Sequence, residues 1–223
     1  MEDLFSRASI KDEGKVKIKG NYSTAIELLA ITLVMSIICQ LMHEDGQKYY
    51  WIIFVVNILV SALVQMAEAR FYMDITKGNS NNRTDNYIKF GSTHFVKALL
   101  LYLLTKLIVA IGLILLIVPG IIWSIKYRFV MYVLADDPEM SVTEALERSG
   151  QLTNGHKMDL FIFELSFIPW VLLAIVTFGI ASLYAAPYSK SSTAVYYNRL
   201  KNEYDKSNNY WEDTNENSER QQN

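Results

Sequence analysis

Apolar and polar positions follow one another along this chain in long blocks rather than in short periods. Thr24–Met42, Trp51–Tyr72, Ala98–Ala135 and Leu160–Ala186 are predominantly apolar, and charged or amide-rich residues separate them. The third block carries only Lys106, Lys126 and Arg128 as formal charges and is interrupted once, at Pro119-Gly120. About 20 apolar residues in a helix cross a hydrocarbon core, so this block is long enough to cross twice. The pattern predicts spans over Thr24–Met42, Trp51–Tyr72, Ala98–Val118, Ile121–Ala135, Leu160–Val176 and Ile180–Leu200. The expected fold class is all-α: a polytopic helical membrane bundle of six transmembrane helices with a short amphipathic helix on the cytoplasmic side.

The connections sharpen that picture. His43–Tyr50 is a short polar link, Asp74–Lys97 a polar loop centred on Gly78-Asn79-Ser80-Asn81-Asn82, and Pro119-Gly120 and Thr177-Phe178-Gly179 are read as tight turns. Ile117–Ile121 and Val176–Ile180 are alike around those two turns, which raises the option of two related hairpins. Tyr49, Tyr50 and Trp51 at one end of the second span and Phe71, Tyr72 at the other suit rings at two headgroup levels. After Asp136-Asp137-Pro138, Ser141 and Glu144 form a Ser-x-x-Glu capping box, in which each side chain satisfies an unpaired amide at a helix start. Val142, Ala145, Leu146, Ser149 and Leu152 then share one face, and Asn154-Gly155 supplies the stop. This helix, within 141–154, is expected to lie against the bundle or the bilayer, as structural support or as a contact platform for a partner.

Charge sets the orientation. Arg7, Lys11, Lys15, Lys17 and Lys19 precede the first span; Lys77, Arg83, Lys89 and Lys97 lie between the second and third; Arg148 and Lys157 lie between the fourth and fifth; Arg199, Lys201, Lys206 and Arg220 follow the sixth. The opposite side has only Lys48. The positive-inside rule then places both termini in the cytoplasm. The domain reading is a basic segment over 1–23, a membrane domain over 24–200 and a polar tail over 201–223, whose composition predicts disorder.

Composition adds mainly exclusions. In 223 residues there is one cysteine, Cys39, so an intramolecular disulfide is excluded, and the net charge of −2 carries no nucleic-acid signature. His43, His94 and His156 fall in separate segments and make no metal site with Cys39. No nucleophile elbow, phosphate loop or dinucleotide fingerprint is present. No cofactor and no enzyme activity are expected. The bilayer is the expected partner; a membrane or cytoplasmic protein partner and a homo-oligomer stay open.

Charges within spans ask for an explanation, because each costs at least a few kcal/mol there. Glu27 and Lys97 lie near the inner interface, and Glu68 and Arg70 near the end of their span, where local pairing or solvation accounts for them. Lys106, Lys126, Arg128, Glu164 and Lys190 form the candidate polar cluster. Three accounts stand: an ion pair of Glu164 with Lys106 or Lys190, a polar pathway for a substrate, proton or lipid headgroup, or exposure at an interface. Ile121–Ala135 is only about 22 Å long as a helix, so its start is either submerged or part of a re-entrant turn.

One set of residues resembles a known family. Leu116–Ile122 with Pro119-Gly120, then Tyr127 and Tyr132–Pro138, together with Glu144-Ala145-Leu146, Ser149, Gly155-His156-Lys157, Asp159-Leu160-Phe161 and Leu165–Ile168, resemble the bacterial integral-membrane family termed domain of unknown function 975. Lys19–Tyr22 and Pro187-Tyr188 extend the likeness, which runs from about Lys15 to Leu200. Trp123 and Pro169-Trp170 depart from the usual pattern. The resemblance implies six membrane helices in a bacterial cell membrane and no assigned activity. It marks Pro119, Gly120, Glu144, Gly155 and His156, which with Ser141 of the capping box make up the candidate structural motif, and His156 suits a cap or a phosphate-headgroup contact. The chain is also distantly similar to the membrane region attached to some glycerophosphodiester phosphodiesterases, an anchor or lipid-handling module. The expected role is that of a non-enzymatic accessory or envelope protein acting through lipid or protein contacts, the alternative a small transporter or channel for an anionic solute or lipid headgroup.

Overall fold

The computed structural model describes residues 6–44, 50–79, 83–115 and 117–222. Among them the ordered backbone is helical: α1 (Arg7–Ile18), α2 (Tyr22–Glu44), α3 (Tyr50–Lys77), α4 (Thr84–Thr93), α5 (Phe95–Leu115), α6 (Ile117–Lys126), α7 (Val130–Asp136), α8 (Val142–Leu152), α9 (Lys157–Leu165), α10 (Ile168–Val176) and α11 (Ser182–Gln222). Five stretches have the length and hydropathy to cross a membrane: Tyr22–Leu41, Tyr50–Lys77, Phe95–Ile114, Val118–Asp136 and Lys157–Val176. The all-α polytopic bundle is thus the architecture of the chain.

The sixth expected span is the first half of α11. It is too polar to partition alone, and it is sheltered: Ser191, Ser192, Thr193, Ala194, Val195, Tyr196 and Tyr197 are all buried. Its hydroxyls find acceptors inside the protein. Ser192 and Thr193 donate to the carbonyls of Tyr188 and Ser189, and Ser191 reaches across to the Gly14 carbonyl at 2.8 Å. Buried hydroxyls that are satisfied in this way avoid the penalty of naked polar groups.

Two expected spans are broken helices. Ile121–Ala135 divides at Tyr127–Phe129 into α6 and α7, and Leu160–Val176 divides at Ser166–Phe167 into α9 and α10. Pro169 explains the second break, since it sits in the first turn of α10, where its missing N–H costs nothing. Pro119-Gly120 also differs from expectation, because both residues lie inside the first turn of α6 rather than between helices. Gly120 is there for packing. A Cβ on it would come within 2.7 Å of the Leu113 backbone nitrogen, and one on Gly112 within 2.9 Å of the Gly120 Cα. Two glycines face to face let α5 and α6 approach as membrane helices with small residues do.

Thr177-Phe178-Gly179 is a turn, with Phe178 and Gly179 at φ 50° and 89°. The two similar motifs therefore occupy different places, one inside a helix and one between helices, and do not act as equivalent hairpin tips. The Asp74–Lys97 loop contains a helix, α4, which lays Tyr87 and Gly91 against α3. The His43–Tyr50 link and the centre of the Gly78–Asn82 loop fall largely outside the described residues. α11 runs on past the sixth expected span into the polar tail, to Gln222. Once a helix is nucleated by packed residues, each further residue adds a backbone bond at low cost, even without an apolar face.

Packing is uneven along the bundle. One apolar cluster centres on Phe129, Leu134, Phe163 and Tyr196, the other on Leu28, Phe71, Tyr72 and Tyr87. Both gather where α3 and α11 carry basic residues and α7 ends on Asp136, and α1, α4 and α8 pack around them. Away from this basic end, Leu33, Ile37, Trp51, Ile52, Leu107, Ile114, Val171 and Ile175 are exposed. A surface so apolar is a lipid-facing surface.

Candidate functional site

The charges inside the spans meet in pairs. Lys190 of α11 contacts Glu68 of α3 at 2.5 Å, and Arg128, in the α6–α7 break, contacts Glu164 of α9 at 2.5 Å. Glu164 therefore pairs with neither Lys106 nor Lys190, as the sequence had suggested, and Glu68, assigned to local pairing, has a partner 122 positions away. The break at Tyr127–Phe129 turns Arg128 out of line and toward α9. Tyr132 donates to the Lys190 carbonyl at 3.4 Å, which ties α7 to the same cluster.

Burial differs between the two pairs. The Glu68 side chain is 7% exposed and its Lys190 partner 35%, whereas Arg128 and Glu164 are both more than one-third exposed. The first pair is a partly buried strut and the second an ion pair at a cavity wall. A cavity of about 230 Å³ is lined by Gln65, Glu68, Arg128, Tyr132, Lys190 and Thr193, among others. A second, of about 210 Å³, lies on the other side of Arg128 and includes Glu164, Ser124 and Phe161.

Two residues of the expected cluster stand apart. Lys106 sits over the Tyr102 ring at 5.6 Å and Lys126 over the Tyr127 ring at 5.2 Å. Cation–π contacts of this kind hold an ammonium without a carboxylate. The Lys126 backbone matters more than its charge. The helix break frees its carbonyl, which accepts from Ser149 Oγ at 2.8 Å, and this fastens α8 to the end of α6.

Ser141 and Glu144 form both bonds of the capping box at the start of α8. Ser141 N–H on the carboxylate holds the Glu144 carboxyl below the usual glutamate range. Gly155 takes φ +84° just before α9, a conformation that side chains rarely adopt. His156 makes no side-chain cap; its ring lies 3.4 Å from the Glu203 carboxylate of α11.

The sequence reading missed the most connected carboxylate. Asp136, at the end of α7, accepts from Lys77 at 2.6 Å, from Tyr197 at 3.3 Å and from Lys201. Arg70 donates to the Ala135 carbonyl, and Lys97 to those of Pro138 and Glu139. Cations thus converge on the negative end of α7, where its dipole favours them. The signal was present in Asp136-Asp137-Pro138 and in the surrounding basic residues, but the partners lie 59 and 65 positions away. Among the described residues no three His, Cys, Asp or Glu side chains are placed to hold a metal.

Spans broken at mid-length, a sheltered polar helix and paired charges define a multi-pass helical membrane protein. Residues 107–204 match the family described as Protein of unknown function (DUF975). The match takes in α6 to α10, the cluster residues Arg128, Glu164 and Lys190, and the Pro119-Gly120 motif. No curated protein and no solved structure matches the chain.

Proposed function

We propose that this is a non-enzymatic membrane component that works through contacts with lipid and with protein partners, its basic face turned to the cytoplasm of a bacterial cell. The observation that carries the reading is the pairing of charge inside the bundle. Lys190 and Arg128, the cations best placed to draw an anion through, each face a carboxylate, and the two cavities beside them do not include Lys126. Ion pairs of this sort set the packing of helices rather than a path between them.

The orientation rests on the basic residues that border the expected inner connections. The contact role draws on α8, whose outer face borders an open groove of about 540 Å³ lined by Asp137, Glu139, Glu144, Glu147 and Arg148. Acidic side chains in excess there suit a basic segment of a partner protein. The full chain, reconstituted in liposomes with a panel of anionic solutes, tests the reading. Flux no greater than in empty liposomes, with partner proteins retained on purification and lost in Glu144→Lys/Glu147→Lys, is the expected result. Flux of an anion that Lys190→Gln abolishes would establish the transporter instead.

A further inference from the structure

Between α6 and α9 runs an apolar groove of about 530 Å³, lined by Val118, Ile121, Ile122, Ile125 and Phe161, with Lys157 as its one charged residue. It adjoins the smaller cavity at Arg128–Glu164, since Ile121, Ile125 and Phe161 line both. Arg128 in turn lines the cavity that holds Glu68 and Lys190. Three spaces therefore lie next to one another, the apolar groove beside the Arg128–Glu164 cavity and Arg128 between that cavity and the Glu68–Lys190 one. We propose that together they form one amphipathic site for a zwitterionic phospholipid with a primary-amine headgroup, its acyl chain in the α6–α9 groove and its headgroup among Arg128, Glu164, Glu68 and Lys190. This deepens the lipid-contact part of the proposed function and rests on it.

The chemistry selects the headgroup. Two carboxylates and two cations sum to zero, so a headgroup with a net charge would leave one charge uncompensated in a poorly hydrated site. A phosphate draws donors from Arg128 and Lys190. A guanidinium carries five N–H groups and an ammonium three, more than one carboxylate occupies. The primary ammonium of the headgroup donates to Glu164 and Glu68; a quaternary ammonium has no N–H and makes no such bond. The chain end needs only an apolar wall open to the bilayer, and Val118 and Ile122 supply it, exposed on the lipid side.

Native mass spectrometry of the purified full chain tests the site, with phosphatidylethanolamine, phosphatidylcholine and phosphatidylglycerol offered in equal amounts. Retention of phosphatidylethanolamine over both others is expected. Glu164→Gln lowers that retention about tenfold, the worth of one charge-assisted hydrogen bond, and leaves phosphatidylcholine unchanged. Ile121→Trp fills the groove and lowers retention of every phospholipid; it keeps the test open should Glu164→Gln not stay folded, as a thermal melt of each variant shows. Equal retention of the three lipids, preference for phosphatidylglycerol, or wild-type retention in folded variants overturns the site. Such a result leaves the protein-contact reading standing, whereas solute flux would sink that reading without touching the lipid result.

Discussion

At the scale of the residue, what decides a charge's role is the partner it meets, and the two intramembrane pairs predict different behaviour. Removing Glu68 leaves Lys190 beside a 7%-exposed position with no carboxylate. Glu68→Leu is expected to destabilise by about 2 kcal/mol, below the full penalty for an orphaned buried charge because Lys190 keeps some access to solvent. The double variant Glu68→Leu/Lys190→Met regains most of that loss, and thermal melts of the four proteins in detergent give the coupling directly. The more exposed Arg128–Glu164 pair is expected to contribute less than about 1 kcal/mol by the same cycle. Glu144 provides a pH test at the basic end. Its carboxyl is held below the ordinary value of 4.5 by the Ser141 backbone N–H, so the stabilisation it lends is complete above that value and is lost as the pH falls through the depressed one. The protection factors of the α8 amides, exchange rates corrected for their intrinsic pH dependence, should thus be constant from neutral pH down to the ordinary glutamate range and fall only below it. Glu144→Gln removes that dependence, whereas Ser141→Ala keeps the backbone N–H and costs α8 about 1 kcal/mol, the usual worth of a serine cap.

At the scale of the element, the glycines divide by what they do. Gly120 and Gly112 allow α5 and α6 to touch, and a methyl on Gly120 meets the Leu113 backbone, which has no rotamer to yield. Gly120→Ala is expected to cost about 1–3 kcal/mol through overpacking. Gly155→Ala meets no atom within 4 Å and suffers only the strain of a positive φ, about 1 kcal/mol; the midpoints of the two melts rank them. These examples show where the sequence is legible. The apolar blocks marked four of the spans as continuous or nearly continuous helices, and the capping box of α8 was readable to the atom, because both depend on residues close in sequence. The breaks at Tyr127–Phe129 and Ser166–Phe167 were hidden within runs apolar enough to pass for single spans. The pairing of Glu68 with Lys190 and the gathering of cations on Asp136 were also hidden. Depth along one helix says nothing of which other helix lies beside it. Lys106, as apolar in setting as Arg128, stands away from the pairs for the same reason.

At the scale of the whole molecule, the first helix and the last hold each other. Gly14 of α1 lies so close to Ser192 that its own Cβ would meet the Ser192 Cα at 2.6 Å, and Ser191 donates to the Gly14 carbonyl. Arg199 reaches back to Glu13 at 2.6 Å, and Lys11 crosses to the Ser166 carbonyl in the α9–α10 break. The segment before the first span is therefore packed on protein, beside the most polar membrane helix, where it shields Ser191 and Ser192 from lipid. α1 thus packs on the part of α11 that lies beyond its start, and the turn at Phe178 precedes that start at the other end of the helix. In a Cys39→Ser background, single cysteines at Val16→Cys and Asn208→Cys, both exposed, should react with an impermeant maleimide from the same face of sealed vesicles. Phe178→Cys, 98% exposed in the α10–α11 turn, should react only from the other. Labelling of Val16→Cys and Phe178→Cys from one face would mean that α10 returns to the side it left, and α11 would then have to be an interfacial helix instead of the sheltered centre of the bundle.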